Sequence, residues 1–286
     1  MSAVRRPAPL PALFAKAVVT SRFTGDRLPA DGGALDLADV AVDDRRLDEY
    51  QRACGFRVSD TVPSTFLHVL AFPLATEIMA ARRFPLPLVG LVHVTNCIEQ
   101  RRPVRRGERV SIAVHAADLR PHRAGRQVDL VTAVSVGGEV VMRETSTYLY
   151  REKVPAAGGP RPAAERPVPD RTGPAGAEVQ WRFGADAGRR YAAVSGDVNP
   201  IHLSTLSARA LGFPRAIAHG MYVAARTLSA LESRLPDAYV HDVAFKKPVL
   251  LPATVRFVSA RRDDGWALAV TAVKDGTPHL EGTLTG

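Results

Sequence analysis

Two stretches far apart in the chain, Arg101-Arg102-Pro103-Val104 and Lys246-Lys247-Pro248-Val249, read as copies of one turn. At the same offset Gly107 falls opposite Pro252 and Val110 opposite Val255. Each copy is preceded by an apolar helix and a strand, and followed by three strands. A chain that repeats helix, strand, turn and three strands is constrained to fold as two like units. A strongly curved antiparallel sheet wrapped around one apolar helix accounts for each unit, and two such units side by side account for the whole. The expected class is α+β.

The elements follow from periodicity. From Ser64, residues Phe66, Val69, Leu70, Leu74, Ile78 and Met79 give a helical apolar face. Pro63 suits its start, and Pro73 is expected to kink it or end it early. Gly90 to Ile98 reads as a strand. Val110, Ile112 and Val114 alternate, as do Val128, Leu130, Thr132, Val134 and Val136. Gly137-Gly138 turns the chain into a strand over Val140 to Tyr150. Residues 1–60 give only short apolar pieces (Val18, Val19, Phe23, Leu35 to Val42) among turn residues.

Residues 152–176 are almost all Pro, Ala, Gly, Glu and Arg, without period, and read as a linker. The chain thus divides into an N-terminal unit over 1–151 and a C-terminal unit over 177–286. The second unit opens on a strand, Val179 to Phe183, and a helix through Tyr191 to Val194 that Gly196 ends. A short helix around Ser204–Leu211 and a helix over Gly220–Leu231 come next. Strands Tyr239–Phe245, Thr254–Ala260, Trp266–Val273 and His279–Leu284 complete it, with Asp264-Gly265 and Asp275-Gly276 as turns.

Chemistry concentrates in Ser195-Gly196-Asp197-Val198-Asn199-Pro200-Ile201-His202, followed by His219-Gly220-Met221. The residue before a proline is pushed out of the helical region, so Asn199 is expected extended or in a turn, and a turn there can aim Asp197 and His202 into one space. A glycine N–H at a helix start is an orphan donor of partial positive charge. Acid, base and oxyanion donor are therefore all present.

These residues are similar to those of a known family. Tyr191-Ala192, Ser195-Gly196-Asp197-x-Asn199-Pro200-Ile201-His202, Ala210-x-Gly212-Phe213, His219-Gly220-Met221 and Phe245-Lys246-x-Pro248-Val249 resemble the MaoC-like, R-specific enoyl-thioester hydratase and dehydratase family. The match covers most of residues 179–285. The resemblance implies a double hot-dog fold, its two units pairing through edge strands. It implies that Asp197 and His202 are the catalytic pair, that Asn199 positions them or the water, and that the Gly220 N–H binds the thioester oxygen. The reaction is then the interconversion of (3R)-hydroxyacyl and trans-2-enoyl thioesters, in fatty-acid metabolism and with medium or long chains. His202 is assigned to water activation and Asp197 to the proton at C2, a division the sequence leaves open. The first unit has no such motif; Asp60 and His68 lack the spacing. It is expected to be a silent partner whose interior makes room for a longer acyl chain.

The formal net charge is +9, which suits polyanionic partners. The clusters Arg101, Arg102, Arg105, Arg106 and Lys246, Lys247 are candidates for the phosphates of coenzyme A or the acidic face of an acyl carrier protein, with a solvated turn as the other reading. The basic residues are scattered without interleaved aromatics, so nucleic acid is not expected. No cofactor is expected beyond the coenzyme A or phosphopantetheine that the substrate itself carries. His202, His219 and His241 match no metal signature, and no metal is expected. Ser195 sits in no nucleophile elbow, and Tyr222 and His219 are read as packing residues.

Only Cys54 and Cys97 occur, which suggests a reducing cytoplasm. No apolar run reaches the roughly 18 residues of a membrane span. Arg5-Arg6 before Leu10–Val19 has the outline of a leader, but Pro7, Pro9, Pro11 and Lys16 interrupt its core. Two other functions stay open. A hot-dog thioesterase would send water to the carbonyl and release thiol, and a non-catalytic subunit would only bind acyl thioesters. Further association into a homodimer is also open.

Overall fold

The computed structural model describes Leu10, Leu13, residues 25–152 and residues 176–286. The expected linker lies almost wholly outside these residues, as do Val18, Val19, Phe23 and most of the leader-like stretch.

The first half contains β1 (Leu35–Ala41), α1 (Asp44–Cys54), β2 (Thr61–Val62), α2 (Ser64–Met79), β3 (Leu91–Gln100), β4 (Val104–Arg105), β5 (Arg109–His122), β6 (Gly125–Val136) and β7 (Glu139–Arg151). The second contains β8 (Ala177–Phe183), α3 (Ala187–Ser195), α4 (Pro200–Leu203), α5 (Thr205–Ala210), α6 (Gly220–Ala230), β9 (Tyr239–Phe245), β10 (Ala253–Arg262), β11 (Gly265–Ala272) and β12 (Pro278–Thr285).

Ten strands form one antiparallel sheet in the order β1-β5-β6-β7-β3-β9-β12-β11-β10-β8. The halves are thus five strands each in mirrored order, joined where β3 pairs β9. In that seam Cys97 lies opposite Asp242, with Asn96 opposite Val243 and Ile98 opposite His241. The turn repeat maps Cys97 onto Asp242, Asn96 onto His241 and Ile98 onto Val243. A two-fold pseudo-axis therefore runs between Cys97 and Asp242, and the two units are an intrachain pseudo-dimer in a double hot-dog arrangement.

Alternation along β5 buries Val110, Ile112, Val114 and Ala116, and along β6 Val128, Leu130, Thr132 and Val134. Those side chains close on α2, which is buried nearly all round, as an apolar helix inside a wrapped sheet must be. Pro73 does not end α2, which runs on to Met79. Gly137 and Gly138 take φ of 57° and 88° in the β6–β7 turn, the left-handed pair that such a hairpin demands. The next expected hairpin shifts by one residue: Arg262 pairs Gly265, so Asp263-Asp264 make the turn and Gly265 opens β11. The helix expected over Ser204–Leu211 is two pieces, because Ser204 is extended and caps α5 by accepting from Ser207 N.

Helix α1 went unread in the sequence. Its partner across the pseudo-axis is α3, against which it packs. Asp43 caps it by accepting from Arg46 N at 2.7 Å. Gly55 closes it with φ 81°, as Gly196 closes α3 with φ 79°. Tyr50 and Tyr191 occupy matching positions, their rings 6.1 Å apart. The residue after each glycine is Phe56 in the first half and Asp197 in the second. The first half then needs only Arg57–Pro63 to reach α2, whereas the second inserts Val198–His219 before α6. That insertion carries α4, α5 and the motif.

Candidate active site

Helix α3 delivers Asp197. Its last carbonyls, of Val194 and Ser195, accept from Arg46 Nε and Nη2 at 2.9 and 3.1 Å. A cation from the first half thus caps the C-terminus that launches the motif. Ser195 Oγ accepts from Asp197 N at 3.1 Å, so that hydroxyl serves the turn. Asp197 Oδ1 accepts from Asn199 N at 3.1 Å, and Asn199 Oδ1 accepts from Ile201 N at 3.3 Å. Two successive Asx turns, with Pro200 at the helix start, fix the loop and start α4. Asn199 is therefore the hinge of the motif.

Helix α4 carries His202 into the interior, where it is 8% exposed. Its Nδ1–H donates to Ile217 O at 2.8 Å, which leaves Nε2 as the unprotonated nitrogen of the neutral ring. Burial pushes the His202 imidazole below its ordinary range, and Asp197 opposes that shift only in part. Gly188 makes the close approach possible, since a Cβ there would lie 2.0 Å from His202 O.

His219 does more than pack. Its Nε2–H donates to Asp197 O at 3.0 Å and lies 3.8 Å from Asp197 Oδ2. Its ring stacks on His202 at 3.6 Å and meets Tyr191 at 4.8 Å. Burial and the neighbouring His202 hold it well below the usual imidazole range. The adjacency of His219 to Gly220 was the only sequence signal for this role. His219 also caps α6 in extended conformation, and Gly220 follows as the first helical residue. Helix geometry leaves the Gly220 N–H without an acceptor inside α6. The Phe245 ring lies over Gly220, where an added Cβ would meet it at 3.1 Å.

Asp197, His202 and His219 bring their ligand-type atoms within 4.8 Å of one another. The two rings lie nearly parallel, 24° apart, so their in-plane lone pairs run side by side and do not converge on one ion. His202 Nδ1 and His219 Nε2 are also spent on carbonyls. The trio fits proton transfer better than metal ligation. His241 stands apart on β9, with Nε2 at 3.2 Å from Thr227 Oγ1.

Residues 166–279 match the MaoC-like domain family, and residues 42–144 match the FAS1-like dehydratase domain region. The chain is 38% identical over 261 residues to 3-hydroxyacyl-thioester dehydratase X of Mycobacterium tuberculosis, covering 91% of each. The chain belongs to the MaoC-like dehydratase family. It is also 33% identical to the (R)-specific enoyl-CoA hydratase of Aeromonas caviae over 34% of this chain and 78% of that one. The crystal structure of HtdX from Mycobacterium tuberculosis superposes with a TM-score of 0.76 at 37% identity, over 88% of this chain and 99% of that one. A Mycobacterium tuberculosis protein described as having a double hotdog fold shares the architecture at 14% identity and a TM-score of 0.56, over 90% and 96% of the two chains.

Against this MaoC-like frame the basic candidates separate. Arg101 pairs with Glu99 at 3.0 Å, and Arg102 with Glu108 at 3.1 Å and Glu139 at 3.6 Å. Arg105 donates to Thr61 Oγ1 at 2.5 Å. Arg106 meets three carboxylates, Asp48 at 2.6 Å, Asp44 at 3.0 Å and Asp60 at 3.5 Å. Arg106 ties the turn after β4 to α1, Arg105 joins β4 to β2, and Arg101 and Arg102 reach β3 and β7, all on the motif-free half. Lys246 and Lys247 follow Phe245 directly and are exposed, beside the ring that covers Gly220. Lys246 reaches Glu281 at 3.1 Å. No helix among the described residues is long and apolar enough to cross a membrane.

Proposed function

We propose that this protein interconverts (3R)-hydroxyacyl and trans-2-enoyl thioesters, with Asp197 and His202 moving the protons. The His202 Nδ1–H bond to Ile217 O carries the reading, because it presents a neutral, unprotonated Nε2 beside the Asp197 carboxyl. In hydration, Nε2 takes a proton from water as its oxygen bonds to C3. The π electrons move toward C2 and the thioester oxygen, where the Gly220 N–H meets the growing charge. Asp197 gives its proton to C2, and the imidazolium then returns one to Asp197. The pair holds one exchangeable proton as a unit, so dehydration runs the same steps backwards. Each proton transfer is worth about 10²–10⁴-fold in rate. His219 and Asn199 hold the two groups in place.

The substrate is expected on coenzyme A or an acyl carrier protein in cytoplasmic fatty-acid metabolism, with the phosphates near Lys246 and Lys247. Replacement of the motif insertion by the short Arg57–Pro63 connection in the first half favours medium or long chains. The test is loss of enoyl absorbance on purified protein with trans-2-enoyl-coenzyme A of short to long chain, scoring product chirality and free thiol. Formation of the (3R) alcohol, lost in Asp197→Asn and His202→Ala, is expected. Thiol release without hydration would make it a thioesterase. No turnover with coenzyme A or carrier-protein thioesters would make it a binding subunit.

A further inference from the structure

The half without the motif carries a buried polar cluster of its own. His68 on α2, Asn96 on β3, and Glu144 and Ser146 on β7 are all buried. His68 Nδ1 lies 2.6 Å from Glu144 Oε1. Asn96 Nδ2 donates to the same oxygen and, at 3.0 Å, to Ser146 Oγ, which donates to Glu144 at 3.2 Å. Glu144 is thus clamped by three groups and serves His68 as an orienting carboxylate. Burying such a set costs stability relative to apolar packing.

The pseudo-axis shows that the fold does not require it. Ala224 stands in the second half where His68 stands in the first. Gly282 replaces Glu144, since Ile98 faces Glu144 and Val243 faces Gly282 in matching registers. Leu284 replaces Ser146 and His241 replaces Asn96. One half fills these places with mostly small or apolar groups, and the other with a hydrogen-bonded network centred on Glu144 Oε1.

The cluster borders the catalytic loop. The His68 ring lies 6.3 Å from that of His93, which lies 5.0 Å from Phe245, the ring over Gly220. His68 also meets Phe72 at 6.0 Å, and Phe72 and Val198 pack on the same small cluster with Leu10 and Leu13. With Nδ1 committed to Glu144, Nε2 is the free nitrogen; no bond to it occurs among the described residues, and the side chain keeps 10% exposure.

We propose that His68, oriented by Glu144, is a positioning residue lent to the catalytic site by the motif-free half, reaching it through His93 and the Phe245 ring over Gly220. The proposal rests on Asp197 and His202 being the reacting pair. The titratable groups in contact with His68 are Glu144 from β7 and His93 from β3, with Tyr148 stacked on the far side of His93; Asp197, on the loop after α3, acts on it only through its charge. Desolvation opposes its charge, but Glu144 and then Asp197 outweigh it and raise its proton affinity. His93, by contrast, is pushed down to about 3 by burial and by His68. His202 and His219 are lowered as well. His68 is therefore the imidazole of this group whose proton affinity the surroundings raise, chiefly through Glu144, while those of its neighbours are lowered.

The test measures kcat and KM for trans-2-enoyl-coenzyme A from about pH 5 to about pH 10, with melting curves, for wild type, His68→Gln, Glu144→Gln and Asp197→Asn. Wild-type kcat should fall on the alkaline side as His68 loses its proton. His68→Gln should lose about 10-fold or more in kcat, with KM little changed and that limb gone. Glu144→Gln should move the limb to lower pH. A His68→Ala/Glu144→Ala double variant removes both charges together and so leaves neither buried alone; assayed well below its own melting temperature, it should still lose kcat. Unchanged kcat and pH profile in His68→Gln and in the double variant, with Asp197→Asn inactive, would overturn this proposal alone. Full activity in Asp197→Asn would overturn the reading beneath it.

Discussion

Phe56 stands in the first half where Asp197 stands in the second, each directly after a left-handed glycine that ends a helix. A phenyl ring titrates nothing, and Phe56 is buried against Tyr50 at 6.4 Å. Asp197→Asn and His202→Ala should each lower kcat for enoyl-thioester hydration by about 10²–10⁴-fold. The double variant should fall little further, because residues that act as a unit are not additive. Phe56→Asp in the Asp197→Asn background should restore nothing, since no Asn-Pro-x-His follows it. Progress curves of enoyl absorbance check all four.

The buried imidazoles set the acid limit of both activity and stability. His202 must be neutral to take a proton from water, and its affinity is lowered, so kcat/KM should fall with acid only below the ordinary imidazole value of about 6.5. For stability, His202 and His219 are lowered, His241 to about 4 and His93 to about 3, each by burial first. The unfolded chain then binds more protons than the folded one in that interval, so stability falls as pH drops from about 6.5 toward about 4. His68, with raised affinity, acts in another window: its contribution is fully present below about 6.5 and is lost as pH rises above it, so it does not offset the acid loss. Glu144, lowered by His68 against desolvation, adds to the acid loss. Melting temperature against pH should slope downward through this window; a flat profile from pH 7 to about 4 would contradict it.

Gly188 illustrates how the packing of α3 serves the site. A Cβ at this position would lie 2.0 Å from His202 O and 3.0 Å from its carbonyl carbon. Backbone cannot yield as a flexible side chain can, so α4 must move. Gly188→Ala should cost about 1–3 kcal/mol in denaturant unfolding. It should also cost far more activity than stability, since a 1 Å displacement of a reacting group is worth about 10²-fold. Activity at wild-type level in a folded Gly188→Ala protein would show that α4 relaxes without shifting His202.

The motif half was legible because its chemistry is local. Asx turns, a proline and Gly196 within a few residues of one another fix Asp197, Asn199 and His202, and their sequence spacing is their geometry. The turn repeat at Arg101 and Lys246 was legible too, and it located the pseudo-axis of the sheet. Helix α1 was not: Leu47, Tyr50, Gln51 and Cys54 form its buried face, but Arg, Asp and Glu fill the rest, and α3 supplies the packing that makes it a helix. The His68–Glu144–Asn96–Ser146 cluster was beyond reach for a different reason. Its members come from three elements, and only the sheet register brings Asn96 opposite Ser146. His219 was read as packing because its bonds to Asp197 cross the whole insertion.

The same contrast between local and tertiary partners sorts the cationic candidates, and it gives a last measurement. Arg106 is held by Asp44, Asp48 and Asp60, with a side chain 23% exposed, so its charge is already answered within the protein. Partly exposed ion pairs of this kind are worth about 0–1 kcal/mol each. Arg106→Ala should therefore lower stability by about 1 kcal/mol and leave KM for enoyl-coenzyme A unchanged. Lys246 and Lys247 are exposed next to Phe245 and Gly220, where the polar end of a bound thioester would emerge. Lys246→Ala/Lys247→Ala should raise KM for coenzyme A substrates several-fold with kcat kept, and the gap to wild type should shrink in salt, since about 10 Å is the screening length at 0.1 M. A KM effect in Arg106→Ala and none in the lysine pair would place the phosphates at the other end of the sheet. Because the pseudo-axis relates the two turns, the two outcomes also report which half receives the carrier.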